Sequence, residues 1–138
     1  MYLDSSIIVK LLTPEPDSEH YIALVDGQPS ASLELAYTEV FSALLAKERN
    51  GRITFEARQA AWTGFTRQVN SAELKLLPAD STSFRKAQQM MQSCHPAVPL
   101  RSLDALHLAA CDLAQDFPLV TNDARMMAAA QRLGIPVL

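Results

Sequence analysis

Apolar positions along the chain fall into short blocks, each followed by a longer stretch with helical period. Met1–Asp4 is a very short strand, and a helical pattern runs from it to Leu12, where Pro14 and Pro16 stop it. A helix over Asp17–Val25 ends at the turn Gly27-Gln28-Pro29, and Ser30–Ser32 is a second short strand. In Leu33–Arg49 the residues Leu35, Tyr37, Val40, Phe41, Leu44 and Leu45 share one helical face, and Asn50-Gly51 closes that helix. Thr54 is placed to cap a helix through Val69, and Leu74–Leu77 is a strand ending at Pro78. Asp80-Ser81 cap a helix over Phe84–Ser93, Cys94–Arg101 is a proline-bearing loop, and Ser102 caps a helix over Leu103–Ala114. Pro118–Thr121 is a buried strand, Asp123 opens a helix to Leu133, Gly134 closes it, and Ile135–Leu138 is a last strand. Short apolar strands alternating with helices predict an α/β fold. The expected architecture is a three-layer sandwich in which a short, mostly parallel sheet of about four or five strands is covered by helices on both faces. Ligands of such sheets bind outside the carboxyl ends of the strands, which is where chemistry is expected.

The 138 residues, 49% of them hydrophobic, suffice for one domain spanning 1–138 with a sizeable core. No apolar run reaches membrane-spanning length, and nothing before Asp4 resembles a cleaved leader. With two cysteines only, Cys94 and Cys111, the expectation is a reduced, cytoplasmic protein. Glycine is scarce, and no glycine-rich phosphate loop is present, which argues against a dinucleotide or P-loop site. Fifteen acids against twelve bases give a net charge of −3, at first sight a poor match for a nucleic-acid ligand.

The position of the acids changes that picture. Asp4 and Asp123 stand at the carboxyl ends of predicted strands, where each is also a plausible helix cap. Glu39 and Asp104 lie in helices too apolar to be fully exposed. Taken singly, Glu39 pairs with Lys47 or Arg49, and Asp104 complements a helix dipole. Taken together, buried acids need a shared partner, and a hard divalent cation such as Mg²⁺ or Mn²⁺ is one that prefers carboxylate oxygens.

Four segments, in order, carry a family resemblance. Tyr2-Leu3-Asp4-Ser5-Ser6-Ile7-Ile8-Val9-Lys10, Thr38-Glu39-Val40-Phe41-Ser42-Ala43-Leu44, Leu103-Asp104-Ala105-Leu106-His107-Leu108-Ala109 and Leu119-Val120-Thr121-Asn122-Asp123-Ala124-Arg125-Met126 resemble the motifs of PIN-domain ribonucleases. The similarity is greatest to the toxins of VapBC toxin–antitoxin pairs. The resemblance implies a PIN-like fold and an endoribonuclease that cleaves RNA phosphodiester bonds with metal-activated water. It implies Asp4, Glu39, Asp104 and Asp123 as catalytic and metal-holding acids for one or two Mg²⁺ or Mn²⁺ ions, with Ser6 and Thr121 as supporting hydroxyls. It also implies a homodimer, a VapB-like antitoxin and no association with membranes. A housekeeping RNA-processing nuclease of the same family and a catalytically silent PIN-like binding module are the alternatives. A haloacid-dehalogenase-type phosphatase is disfavoured because Ser6 stands where its second Asp belongs.

Other polar residues have plainer readings. Lys10, Arg101 and Arg125 lie near the acidic motifs, and the default for each is a solvated charge. Cys94, His95, His107 and Cys111 compose a formal zinc set, but adjacent Cys94-His95 strains tetrahedral closure, so core packing is the expectation. Without the four acids, eleven acids face twelve bases, so the net negative charge belongs to the proposed site.

Overall fold

The computed structural model describes residues 1–138. The chain opens with β1 (Tyr2–Leu3), α1 (Ser5–Leu12), α2 (Ser18–Val25) and β2 (Ser30–Leu33). It continues through α3 (Ala36–Arg49), α4 (Phe55–Asn70), β3 (Leu74–Leu77) and α5 (Ser81–Cys94). It closes with α6 (Ser102–Ala114), β4 (Leu119–Val120) and α7 (Ala124–Leu133). No helix is long and apolar enough to cross a membrane.

The four strands form one parallel sheet in the order β3-β2-β1-β4, with Tyr2 between Ala31 and Leu119, and Leu33 beside Leu77. Strand residues alternate between faces. Tyr2, Leu77 and Leu119 enter a core shared with α5, α6 and α7, while Leu3, Leu74 and Val120 enter one shared with α1, α3 and α4. A strand buried on both sides has no solvent face, which is why Met1–Leu3 and Leu119–Val120 read as unbroken apolar runs.

Side chains fix the helix starts. Asp4, Thr54, Asp80 and Asp123 each accept a backbone N–H of the helix they precede. Gly134, at φ +74°, adopts the left-handed turn that ends α7. Several boundaries differ from expectation, three of them for a clear physical reason. Leu33 belongs to β2, because it pairs with Leu77 and the Glu34 N–H extends the ladder to the Leu77 carbonyl at 2.9 Å. Ser102 is inside α6, with Arg101 at the cap position and no side-chain cap bond. Ile135–Leu138 forms only a single bridge, Val137 to Leu119, because Pro136 has no N–H to continue a ladder.

The topology creates a crevice. From β1 the chain steps outward through β2 to β3, then returns to β4 on the other side of β1. The strand order therefore reverses between β1 and β4, and the carboxyl ends of these two strands flank a place where connections diverge.

Candidate active site

Both strand-end acids sit at this crevice. Asp4 immediately follows β1, and Asp123 follows β4 after Thr121 and Asn122. Glu39 and Asp104 approach from the first turns of α3 and α6. All four line one cleft of about 560 Å³. A second cavity of about 580 Å³ lies at the other end of the sheet, by Ser30 and Leu74, and none of the four acids lines it.

Asp4 is 4% exposed and heavily bonded. Its Oδ1 accepts the Ser6 and Ile7 N–H groups at 2.6 and 3.2 Å, and its Oδ2 accepts the Thr121 hydroxyl. Thr121 Oγ1 in turn accepts the Asp123 N–H at 3.1 Å, so one hydroxyl ties together the ends of β1 and β4. A carboxylate has about four lone-pair sites, and these bonds leave Asp4 with acceptor capacity. Asp123 Oδ1 caps α7 through the Arg125 and Met126 N–H groups. Ser6 is exposed, and its hydroxyl donates to Asn122 Oδ1 at 2.8 Å, across the mouth of the crevice.

Glu39 does not pair with Lys47 or Arg49. Its Oε2 accepts the Ser5 hydroxyl at 2.5 Å and bonds His107 Nε2 at 2.8 Å. Burial alone would raise this carboxyl, but the His107 and Ser5 bonds outweigh it and hold Glu39 below its ordinary range. His107 Nδ1 bonds the Tyr2 hydroxyl at 2.8 Å. Burial pushes the Tyr2 phenol well above its usual range, so it keeps its proton.

Asp104 is the acid without a partner. Its Oδ2 is buried and makes no hydrogen bond. Burial, and then the charge of Asp123, raise its carboxyl above the ordinary range, against the pull of Arg101 and Arg125.

The cleft also has a basic wall. Lys10 is not a solvated charge: it is 7% exposed, with Nζ 2.8 Å from Glu15 and 2.7 Å from Asp17. Lys47 reaches the other oxygen of Glu15 at 2.6 Å. The helical pattern of α1 hides the Lys10 partners, because Glu15 lies within the Pro14–Pro16 stop and Asp17 just past it. The cysteine–histidine set does not gather around a common point. Cys94 and Cys111 are buried in the apolar core, His95 is exposed at the end of α5, and both His107 nitrogens are engaged. Burial pushes the Cys111 thiol up to about 12, which makes it a core thiol rather than a thiolate ligand.

The donor set suits a hard divalent cation, because every free donor is a carboxylate oxygen. The unpartnered Asp104 oxygen and the mutual repulsion of Asp104 and Asp123 are the features a cation would offset. As they stand, the acids line the cleft and do not close into a cage of three ligands.

Tyr2, Ser5 and His107 escaped the sequence reading as site residues. The available signal was chemical: a phenol and an imidazole within apolar segments must find hydrogen-bond partners when buried.

The PIN domain family model matches residues 1–133. Ribonuclease VapC46 of Mycobacterium tuberculosis (strain ATCC 25618 / H37Rv) is 37% identical over 141 residues, covering 100% of this chain and 95% of that protein. Ribonuclease VapC45 of Mycobacterium tuberculosis (strain CDC 1551 / Oshkosh) is 35% identical over 143 residues, covering 99% and 93%. A chain in the crystal structure of VapBC2 from Rickettsia felis bound to a DNA fragment from their promoter has the same fold. Its TM-score is 0.70 at 14% identity, over 99% of this chain and 96% of that one.

Proposed function

Because this chain belongs to the PIN domain family, we propose that it is a metal-dependent endoribonuclease and the toxin of a type II toxin–antitoxin pair. The observation that carries the reading is the convergence of Asp4, Glu39, Asp104 and Asp123 on one cleft at the strand-order reversal, with one oxygen of Asp104 buried and unpartnered. The ribonuclease names of relatives aligned over the whole chain support the substrate class. The four acids are the residues that would hold Mg²⁺ or Mn²⁺. Such a cation supplies positive charge to the scissile phosphate and makes water a better nucleophile near neutral pH.

The protein's own groups do the rest. Thr121 and the first N–H groups of α1 hold Asp4 in one orientation, so that its remaining lone pairs are pre-set rather than searching. Asp104 and Asp123 bring the uncompensated negative charge that selects a cation. Glu39, ionised and held through one oxygen, keeps the other for a proton or a water. Ser6 and Asn122 support the rim. The protein acts in the cytoplasm as a homodimer, held silent by a VapB-like antitoxin.

Purified protein is expected to cleave RNA with Mg²⁺ or Mn²⁺ and not after chelation, leaving 5′-phosphate ends. Asp4→Asn and Asp104→Asn should each lose at least about 100-fold in kcat, the scale of losing one charge-stabilising group. Unimpaired cleavage by either folded variant would sink the assignment. In cells, growth arrest should follow induction of the wild type and not of Asp4→Asn.

A further inference from the structure

The line from Tyr2 through His107 to Glu39 crosses from the core to the cleft. Tyr2 is fully buried and His107 is 2% exposed, whereas the Glu39 carboxylate lines the catalytic cleft. The two bonds are each 2.8 Å, and they join β1, α6 and α3, elements 105 and 68 residues apart at the two contacts. Both bonds to Glu39, from His107 and from Ser5, fall on Oε2. A buried imidazole in an apolar layer is costly unless both nitrogens are matched, and here both are.

We propose that His107, oriented by Tyr2, is a positioning residue that fixes the Glu39 carboxylate in the orientation the cation-dependent reaction uses. The polarity of the line follows from its ends. The ionised Glu39 Oε2 can only accept, so the ring proton sits on Nε2 and donates to it, and Nδ1 of the neutral ring accepts from the Tyr2 hydroxyl. The reverse tautomer sets a lone pair against a carboxylate oxygen. With Oε2 held from two sides, Oε1 is the oxygen left to face the cleft. Ser5 alone cannot do this, because a single hydroxyl leaves the carboxylate free to rotate about its own bond. The inference rests on the ribonuclease reading for what Glu39 does, but not for how Glu39 is held.

Two measurements separate those parts. Long-range ¹H–¹⁵N correlation on the intact protein without added metal should show His107 protonated at Nε2 and bare at Nδ1, with the Nδ1 resonance displaced in Tyr2→Phe by loss of the bond it accepts. The opposite tautomer, or an Nδ1 resonance unmoved in Tyr2→Phe, would overturn the inference whatever the protein cleaves. Mn²⁺ titration and steady-state RNA cleavage then test the consequence. His107→Leu should weaken Mn²⁺ binding or lower kcat by about tenfold or more, with KM for RNA unchanged. His107→Gln, whose amide N–H can replace Nε2–H, should recover most of the loss. His107→Leu equal to wild type in both readouts, or His107→Gln no better than a folded His107→Leu, would overturn it. Should His107→Leu fail to fold, Tyr2→Phe carries the same comparison, because it removes one oxygen and keeps the ring. A wild type that gives the expected tautomer yet neither binds Mn²⁺ nor cuts RNA would overturn the nuclease reading and, with it, the role given to His107.

Discussion

Asp104 lines the cleft at a cost to the fold, with one buried oxygen left unpartnered. Its carboxyl is raised by burial and by Asp123, so folding favours the protonated form. The sign follows: the stability tied to this group is present below the ordinary carboxyl range and is lost as pH rises through the raised value in the folded state. At neutral pH the metal-free protein therefore holds an unfavourable charge. Asp104→Asn should raise the thermal midpoint by a few degrees while removing cleavage, and a lower midpoint at neutral pH would contradict this account. Adding Mg²⁺ should stabilise the wild type more than the variant. At this scale, strand ends pointed to Asp4 and Asp123, and polarity within apolar helices pointed to Glu39 and Asp104. The partners of Glu39 were hidden, since Ser5 and His107 approach it from other elements, 34 and 68 residues away.

Among the elements, the joint between α1, α2 and α3 adds a cluster of ion pairs to its apolar packing. Glu15 accepts Lys10 on one oxygen and Lys47 on the other, and Asp17 completes the shell of a nearly buried lysine. Burial would raise the Glu15 carboxyl, but the two lysines pull it below its ordinary 4.5. A lowered acid contributes stability above the ordinary carboxyl range and loses it as pH falls through the value in the folded state. Glu15→Gln leaves Lys47 unpaired and Lys10 with Asp17 alone, so it should cost about 1–3 kcal/mol at neutral pH. Urea midpoints at pH 7 and pH 4 check this, since the difference between wild type and variant should shrink at the lower pH. Nearly all the helices and strands were legible from period, proline and capping residues. The exceptions are instructive: Leu33 is strand because Leu77 lies alongside, which no local pattern contains, whereas the Pro136 that limits the last pairing stands in the sequence itself.

For the whole molecule, the distribution of charge matters more than the total. Outside the four cleft acids the chain is nearly neutral, and Lys10 and Lys47 are already matched by Glu15 and Asp17. The lysines and arginines outside the ion pairs are scattered along the chain with no run of them, so RNA binding should weaken only gently with salt, with a slope of about −1 to −2 in plots of log association constant against log salt, as for two or three phosphate contacts. Filter binding of Asp104→Asn with single-stranded RNA across a salt series measures it, and a slope steeper than about −5 would reveal a basic surface the fold does not display. Sheet order carries a further consequence, in time rather than in space. β1 is made long before its outer neighbour β4, and Thr121 meets Asp4 across 117 residues. A chain still being synthesised has Asp4 without Thr121, Asp123 or the second wall of the crevice. A chain released before β4 is made therefore lacks a complete crevice, and translation itself delays the appearance of activity until Thr121 and Asp123 have been added.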